Sequence, residues 1–328
     1  MSKKSLFISA VIVAAALAPF GFEPKGHSIR VLSTALLFAA AAQSWNIVGG
    51  LANQISLGHA AFFGIGAYTS TLLYLKLGIT PWAGMLAGAF LAVIAAIILC
   101  IPTMKLKGHY FALATLAFAE VLRVVANSWE TVTGGSVGLS LPYVNPSFID
   151  FQFASTYWYY WIILVTLCVI SFVFHYISVS SLGYKLRAIR ENEDAAEVSG
   201  VNSFAVKMIA ATTSAAFMAA CGTIFAQFNY FFDPESVFNL PGISIRVAMI
   251  AIIGGIGTVA GPILGAIFLI PLEEYATAAF SSVAGLAQLV FGCILILAVL
   301  IQPRGFMAFC SRKKKKPQNS DVGAEVGQ

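Results

Sequence analysis

The sequence predicts an all-α fold: a polytopic transmembrane helical bundle of about 8–10 membrane segments, some broken by glycine clusters. Three observations carry this prediction. Hydrophobic residues make up 59% of the 328 and charged residues only 10%, with a mean hydropathy of +0.86. A soluble domain sits nearer about half apolar and a quarter charged. Apolar runs of about 20 residues, the length that crosses a bilayer, recur along the chain. Two of these runs are interrupted by clustered glycines.

Taken in order, the runs are 5–22, 29–48, 54–75, 82–102, 109–126, 158–177, 204–228, 243–280 and 284–302. The first, "MSKKSLFISAVIVAAALAPFGF", also has the layout of a secretory signal. It reads better as a first span oriented by Lys3 and Lys4, because everything after it is membrane protein. Positive charge sets the orientation of the rest. Lys3 and Lys4 place the N-terminus in the cytoplasm. Four crossings then return the chain there at Lys105 and Lys107, and two more return it at Lys185, Arg187 and Arg190. Residues 127–157 become a long outside loop with turn-forming Gly, Pro, Ser and Asn.

The final basic run, Arg312 to Lys316, equals the whole net charge of +5. It marks a cytoplasmic end near anionic headgroups and says nothing of a nucleic-acid surface. Residues 1–310 therefore form one transmembrane domain, and 311–328 a basic, then disordered, cytoplasmic tail. Parity requires 229–283 to begin and end outside, so the apolar run 243–280 must fold back as a hairpin or re-entrant loop. Gly254, Gly255, Gly257, Gly261 and Pro262 interrupt it at its middle.

The earlier interruption lies in "WNIVGGLANQISLGHAAFFGIGAY", Trp45 to Tyr68. Broken helices at membrane depth expose N–H and C=O groups and point to a transport site. Candidate pathway residues are Asn46, Gln54, Ser56 and Gly58 in the first break, with Gly254, Gly255, Gly257 and Pro262 in the second. For any single glycine, close helix packing is the simpler role.

The polar stretch "SLGYKLRAIRENEDAAEVSG", Ser181 to Gly200, holds four of the 14 acidic residues. Ser180 or Ser181 suits a helix cap. Leu182, Leu186 and Ile189 form an apolar stripe, while Arg187, Arg190 and Asp194 line another face. Ala195 and Ala196 permit close approach, and Gly200 suits a helix stop. The stretch reads as one or two short amphipathic helices on the cytoplasmic surface.

Other chemistry is not in evidence. "GGIGTVAGP" has the wrong spacing for a nucleotide loop, and no Walker motif occurs. Five scattered cysteines and four scattered histidines show no disulfide or metal-ligand spacing. Glu120 and Arg123 are spaced to pair on one helix face. Arg246 suits snorkelling outward, and Glu273 and Glu274 suit a solvated helix end. A secondary transporter would need a coupling-ion site or proton relay, and a membrane enzyme a cluster of nucleophile, base or ligands. Neither is visible.

"DAAEVSG", Asp194 to Gly200, resembles the EAAxxxG motif of bacterial ABC importer permeases, with Asp in place of Glu. The longer string "LGYKLRAIRENEDAAEVSGVN", together with the two glycine-rich stretches, is similar to branched-chain amino acid permeases of the LivM type, over roughly residues 30 to 305. Two departures stand out. Ala52-Asn53 replaces a small Ala-Gly type pair, and no I-x-LP follows Gly200.

The resemblance implies a multi-pass permease of the bacterial inner membrane with both termini cytoplasmic. It implies a homologous second permease, two cytoplasmic ATPases and an external, periplasmic substrate-binding protein, with lipid as the surrounding partner. It implies no cofactor on this chain, ATP and Mg being bound by the ATPases. The segment 178–203 would carry the coupling helix, with Gly183, Arg187, Arg190, Glu191, Asp194, Ala195, Ala196 and Gly200 as its docking residues. Branched-chain amino acids are the implied substrates. Urea, short amides and aromatic acids stay open, because related permeases share the framework.

Overall fold

The computed structural model describes residues 26–280, except 107, 144 and 145, and scattered positions between 285 and 306. The expected first span, much of the expected last span and the basic tail lie outside the described residues. Within them, each long apolar run forms helix, and seven helical runs are long and apolar enough to cross a membrane.

Helix α1 (His27–Ala52) ends where Asn53 takes a left-handed conformation, φ 55°. Residues 53–58 then run non-helically back along α1. Trp45 Nε1 donates to the Ser56 carbonyl at 2.8 Å. Trp45 lies seven residues before Ala52, so Ser56 sits about 10 Å inside the end of α1. Helix α2 (His59–Leu77) starts at that depth. Thr80 caps α3 (Pro81–Thr103) through the Trp82 N–H, and α4 (His109–Ser128) follows. A short α5 (Glu130–Thr133), a 3-10 turn and strand β1 (Leu139–Ser140) come next.

Ser155 caps α6 (Thr156–Val179). The polar stretch forms α7 (Ser181–Glu191) and α8 (Glu193–Val198), capped by Ser180 and Asn192. Helix α9 (Ser203–Asn229) leads to β2 (Phe231–Phe232), which pairs antiparallel with β1. Then come α10 (Pro234–Val237), a π-helical turn (Leu240–Ile245), α11 (Arg246–Gly255) and α12 (Ala260–Ala279).

The long helices alternate in direction. At one end Arg190 meets Gly50, near the finish of α1. At the other, Arg30 near the start of α1 donates to the Asn229 side chain at 3.2 Å. Helix α1 is central and packs against α6, α9, α11 and α12, while α2, α3 and α9 pack against one another.

Glycine sets these close approaches. A Cβ on Gly66 would lie 1.9 Å from the Ala219 carbonyl oxygen, and one on Gly222 would lie 1.9 Å from that of Phe63. The backbones of α2 and α9 therefore touch directly, and Thr223 Oγ1 donates to the Gly66 carbonyl at 2.9 Å. Such contact replaces the hydrophobic drive that lipid cannot supply.

The loop expected at 127–157 folds over the end opposite Arg190. Trp82 stacks between Phe148 and Phe151, and its Nε1 donates to the Phe148 carbonyl at 2.8 Å. Tyr159 and Tyr230 share a hydroxyl hydrogen bond of 2.8 Å.

Candidate functional site

The polar segment lies under the bundle at the Arg190 end. Gly183 belongs to a tight join, since a Cβ there would lie 2.2 Å from the Ile177 carbonyl oxygen. Leu186, Ile189 and Ala196 are buried against α1, α6 and α9 residues. The expected apolar stripe thus faces the bundle. Glu191, Asp194, Ala195 and Gly200 are exposed on the other side, and Arg187 is half-exposed over the Tyr184 ring.

Arg190 turns toward the membrane helices. Its Nη1 donates to the Gly50 carbonyl at 3.0 Å. That oxygen belongs to the last turn of α1, which the helix cannot satisfy alone. The same nitrogen lies 3.5 Å from where a Cβ on Gly257 would stand. Asn46 joins the two interruptions. Its Oδ1 accepts from the Gly257 N–H at 2.7 Å, and its Nδ2 donates to the Thr258 carbonyl at 2.9 Å. Both expected breaks therefore meet one another and the amphipathic helix.

They differ in depth. The turn between α11 and α12 lies beside Arg190, so it is the end of a helical hairpin. The run 243–280 thus forms a hairpin, one of the two arrangements that parity allowed, with its glycines at the tip. Residues 56–58 lie deeper, where irregular backbone must be covered by protein. The Leu57 N–H donates to Thr115 Oγ1 at 3.0 Å, and the Gly58 N–H to Ser56 Oγ at 3.3 Å. A Cβ on Gly58 would meet the Thr115 carbonyl oxygen at 2.7 Å.

The helix starts at both breaks are internally capped. At α2, the Ala60 N–H donates to Ser244 Oγ at 2.9 Å. At α12, the Gly261 N–H donates to Thr258 Oγ1 at 3.0 Å. Pro262 fills the first turn of α12, where no N–H partner is required. Gly254 is a packing glycine, since a Cβ there would lie 1.8 Å from the Gly261 carbonyl oxygen. Gly255 and Gly257 adopt positive φ, 130° and 74°.

Several polar partners were not legible in the sequence. His59 is buried between Ser56 Oγ (3.1 Å) and Ser214 Oγ (2.9 Å), and Ser214 donates to the Ser44 carbonyl at 2.7 Å. Buried Lys207 on α9 pairs with Glu193 on α8. Arg246 and Glu273 pair between α11 and α12, and Arg246 lies over the Phe38 ring at 5.0 Å. That pairing corrects the readings of a snorkelling arginine and a solvated glutamate. Glu120 and Arg123 do pair, and Arg123 also reaches Glu235. Apart from Glu120 with Arg123 and Ser56 with His59, these partners lie too far apart in sequence to leave a local signal. Among the described residues no group of His, Cys, Asp or Glu could hold a metal ion.

A bundle of this kind defines a multi-pass membrane protein. The chain belongs to the family described as "Branched-chain amino acid transport system / permease component", whose profile matches residues 28–299. It is similar to the high-affinity branched-chain amino acid transport system permease protein LivM of Escherichia coli (strain K12). That match is 29% identical over 350 aligned residues, covering 99% of this chain and 79% of the relative. LivH of the corresponding Salmonella typhimurium system is 25% identical over 288 residues, 82% of this chain and 91% of the relative. The probable LivM of Methanocaldococcus jannaschii is 20% identical over 288 residues, 79% and 81% of the two chains. No solved structure gives a significant match.

Proposed function

We propose that this chain is the membrane-spanning permease subunit of an ATP-driven importer for leucine, isoleucine and valine in the bacterial inner membrane. A homologous second permease completes the path, in keeping with the two kinds of relative, LivM and LivH, that the chain matches. Two cytoplasmic ATPases bind ATP and Mg, and an external binding protein delivers the substrate. The chain itself catalyses no reaction. The termini and the α7–α8 face lie in the cytoplasm, as the basic residues near each crossing favour.

One observation carries the mechanical part of this reading. The α7–α8 element buries its apolar stripe against the bundle, exposes its polar face, and ties Arg190 to the end of α1. An ATPase that grips the exposed face moves an element already bonded to the end of α1, which Asn46 links in turn to the α11–α12 turn. Closure of the ATPases then shifts the ends of α1 and the α11–α12 hairpin between two arrangements, the kind of two-position element that coupling needs.

Arg187→Glu and Ala195→Trp alter the exposed face and leave the buried stripe intact. Both are expected to lower labelled-leucine uptake at least about tenfold, as loss of a well-packed interface anchor does, with the amount of inserted protein unchanged. Wild-type uptake in both variants would contradict the docking assignment.

A further inference from the structure

Beside the finish of α1, a cleft of about 300 Å³ opens between residues 52–55, the start of α4 and the α7–α8 elbow. This is the lower end of the roughly 300–1,000 Å³ usual for small-molecule sites. Its lining carries both signs of charge. Arg190 and Lys207 supply cationic donors, and Glu193 supplies a carboxylate. The Lys207 side chain is only 3% exposed, yet its ammonium has three donors and Glu193 engages one of them.

Two further features bear on a ligand. The Gln54 side-chain oxygen, on the cleft wall, is buried with no hydrogen-bond partner. Helix α4 starts at Gly108 with no side-chain cap, and its first-turn N–H groups have no partner within the helix. Ile55, Phe111 and Ile189 make the remaining wall apolar. If the cleft served packing alone, apolar residues would serve as well or better than a buried ion pair.

We propose that this cleft binds a free aliphatic amino acid at the inner mouth of the path. The α-carboxylate lies toward Lys207, Arg190 and the start of α4. The α-ammonium lies toward Gln54 Oε1, Glu193 and the carbonyl-rich end of α1. The side chain lies against Ile55, Phe111 and Ile189. This assignment rests on the importer reading above and adds to it a cytoplasmic resting place for the substrate.

The test uses the assembled transporter in lipid nanodiscs, without external binding protein, and tritiated L-leucine as the probe. Saturable binding is expected. 4-Methylpentanoate, which lacks the ammonium, and 3-methylbutylamine, which lacks the carboxylate, should each compete at least about tenfold less well than leucine. Ala112→Trp fills the cleft and Gln54→Leu removes the unpartnered oxygen. Both should weaken binding at least about tenfold. Unchanged binding in both variants, or no saturable binding to the wild type, would overturn the site. ATP-driven uptake by the same preparation is scored separately. Its failure would count against the importer reading, while the binding result alone judges the cleft.

Discussion

The guanidinium of Arg190 and the amide of Asn46 each bond backbone groups that helix ends leave without a partner. Arg190→Met keeps an unbranched apolar stem and removes the donors. Asn46→Leu keeps the volume and removes both bonds. Leaving such part-buried groups unpaired costs at most about 1–3 kcal/mol each, so both variants should melt at lower temperature than the wild type. Arg190→Lys should recover part of the loss, as a single donor can still reach Gly50. Equal melting temperatures for wild type and Arg190→Met would show that the bond carries no stability. Both residues were candidates in the sequence, Arg190 for its helical spacing and Asn46 for its place in the first interruption. Their pairings were not legible, because Gly50 and Gly257 lie 140 and 211 residues away from them.

Between elements, the contact of α2 with α9 shows what glycine does in this bundle. Gly66 and Gly222 each stand where a Cβ would enter the backbone of the facing helix. Gly222→Ala must therefore push the two helices apart, at a cost of typically about 1–3 kcal/mol. Thermal unfolding of the purified variant should shift down by an amount that Ala219→Gly, which removes a methyl from the same crossing, does not restore fully. A variant as stable as the wild type would disprove direct backbone contact.

The element pattern was largely legible, since apolar run length and basic flanks are local signals. The apolar stripe of α7 was legible for the same reason, as Leu186 and Ile189 recur at helical spacing. The start of α2 was not. The span was expected from 54, within the interruption that Gln54, Ser56 and Gly58 mark, and the non-helical run to Gly58 is held by tertiary bonds to Trp45 and Thr115. The β1–β2 pair was equally hidden, because each strand has two residues and its partner is about 90 residues away.

For the whole molecule, the least buried of the described spanning helices is α4. It exposes Tyr110, Leu113, Val121 and Val124, while Glu120 and Arg123 sit on the same helix. Charge within a span is costly against lipid and is tolerated beside protein or water. A second permease chain alongside α4 would meet that need. Under the importer proposal, a chain with no recognisable ATP site of its own would receive the work of ATP through α7 and α8. The most direct test of this central claim is accumulation of labelled leucine in proteoliposomes. Uptake against a gradient is expected only when this chain, its partner permease, both ATPases, external binding protein and ATP on the ATPase side are all present. Equal accumulation by this chain alone, without ATP, would contradict the account.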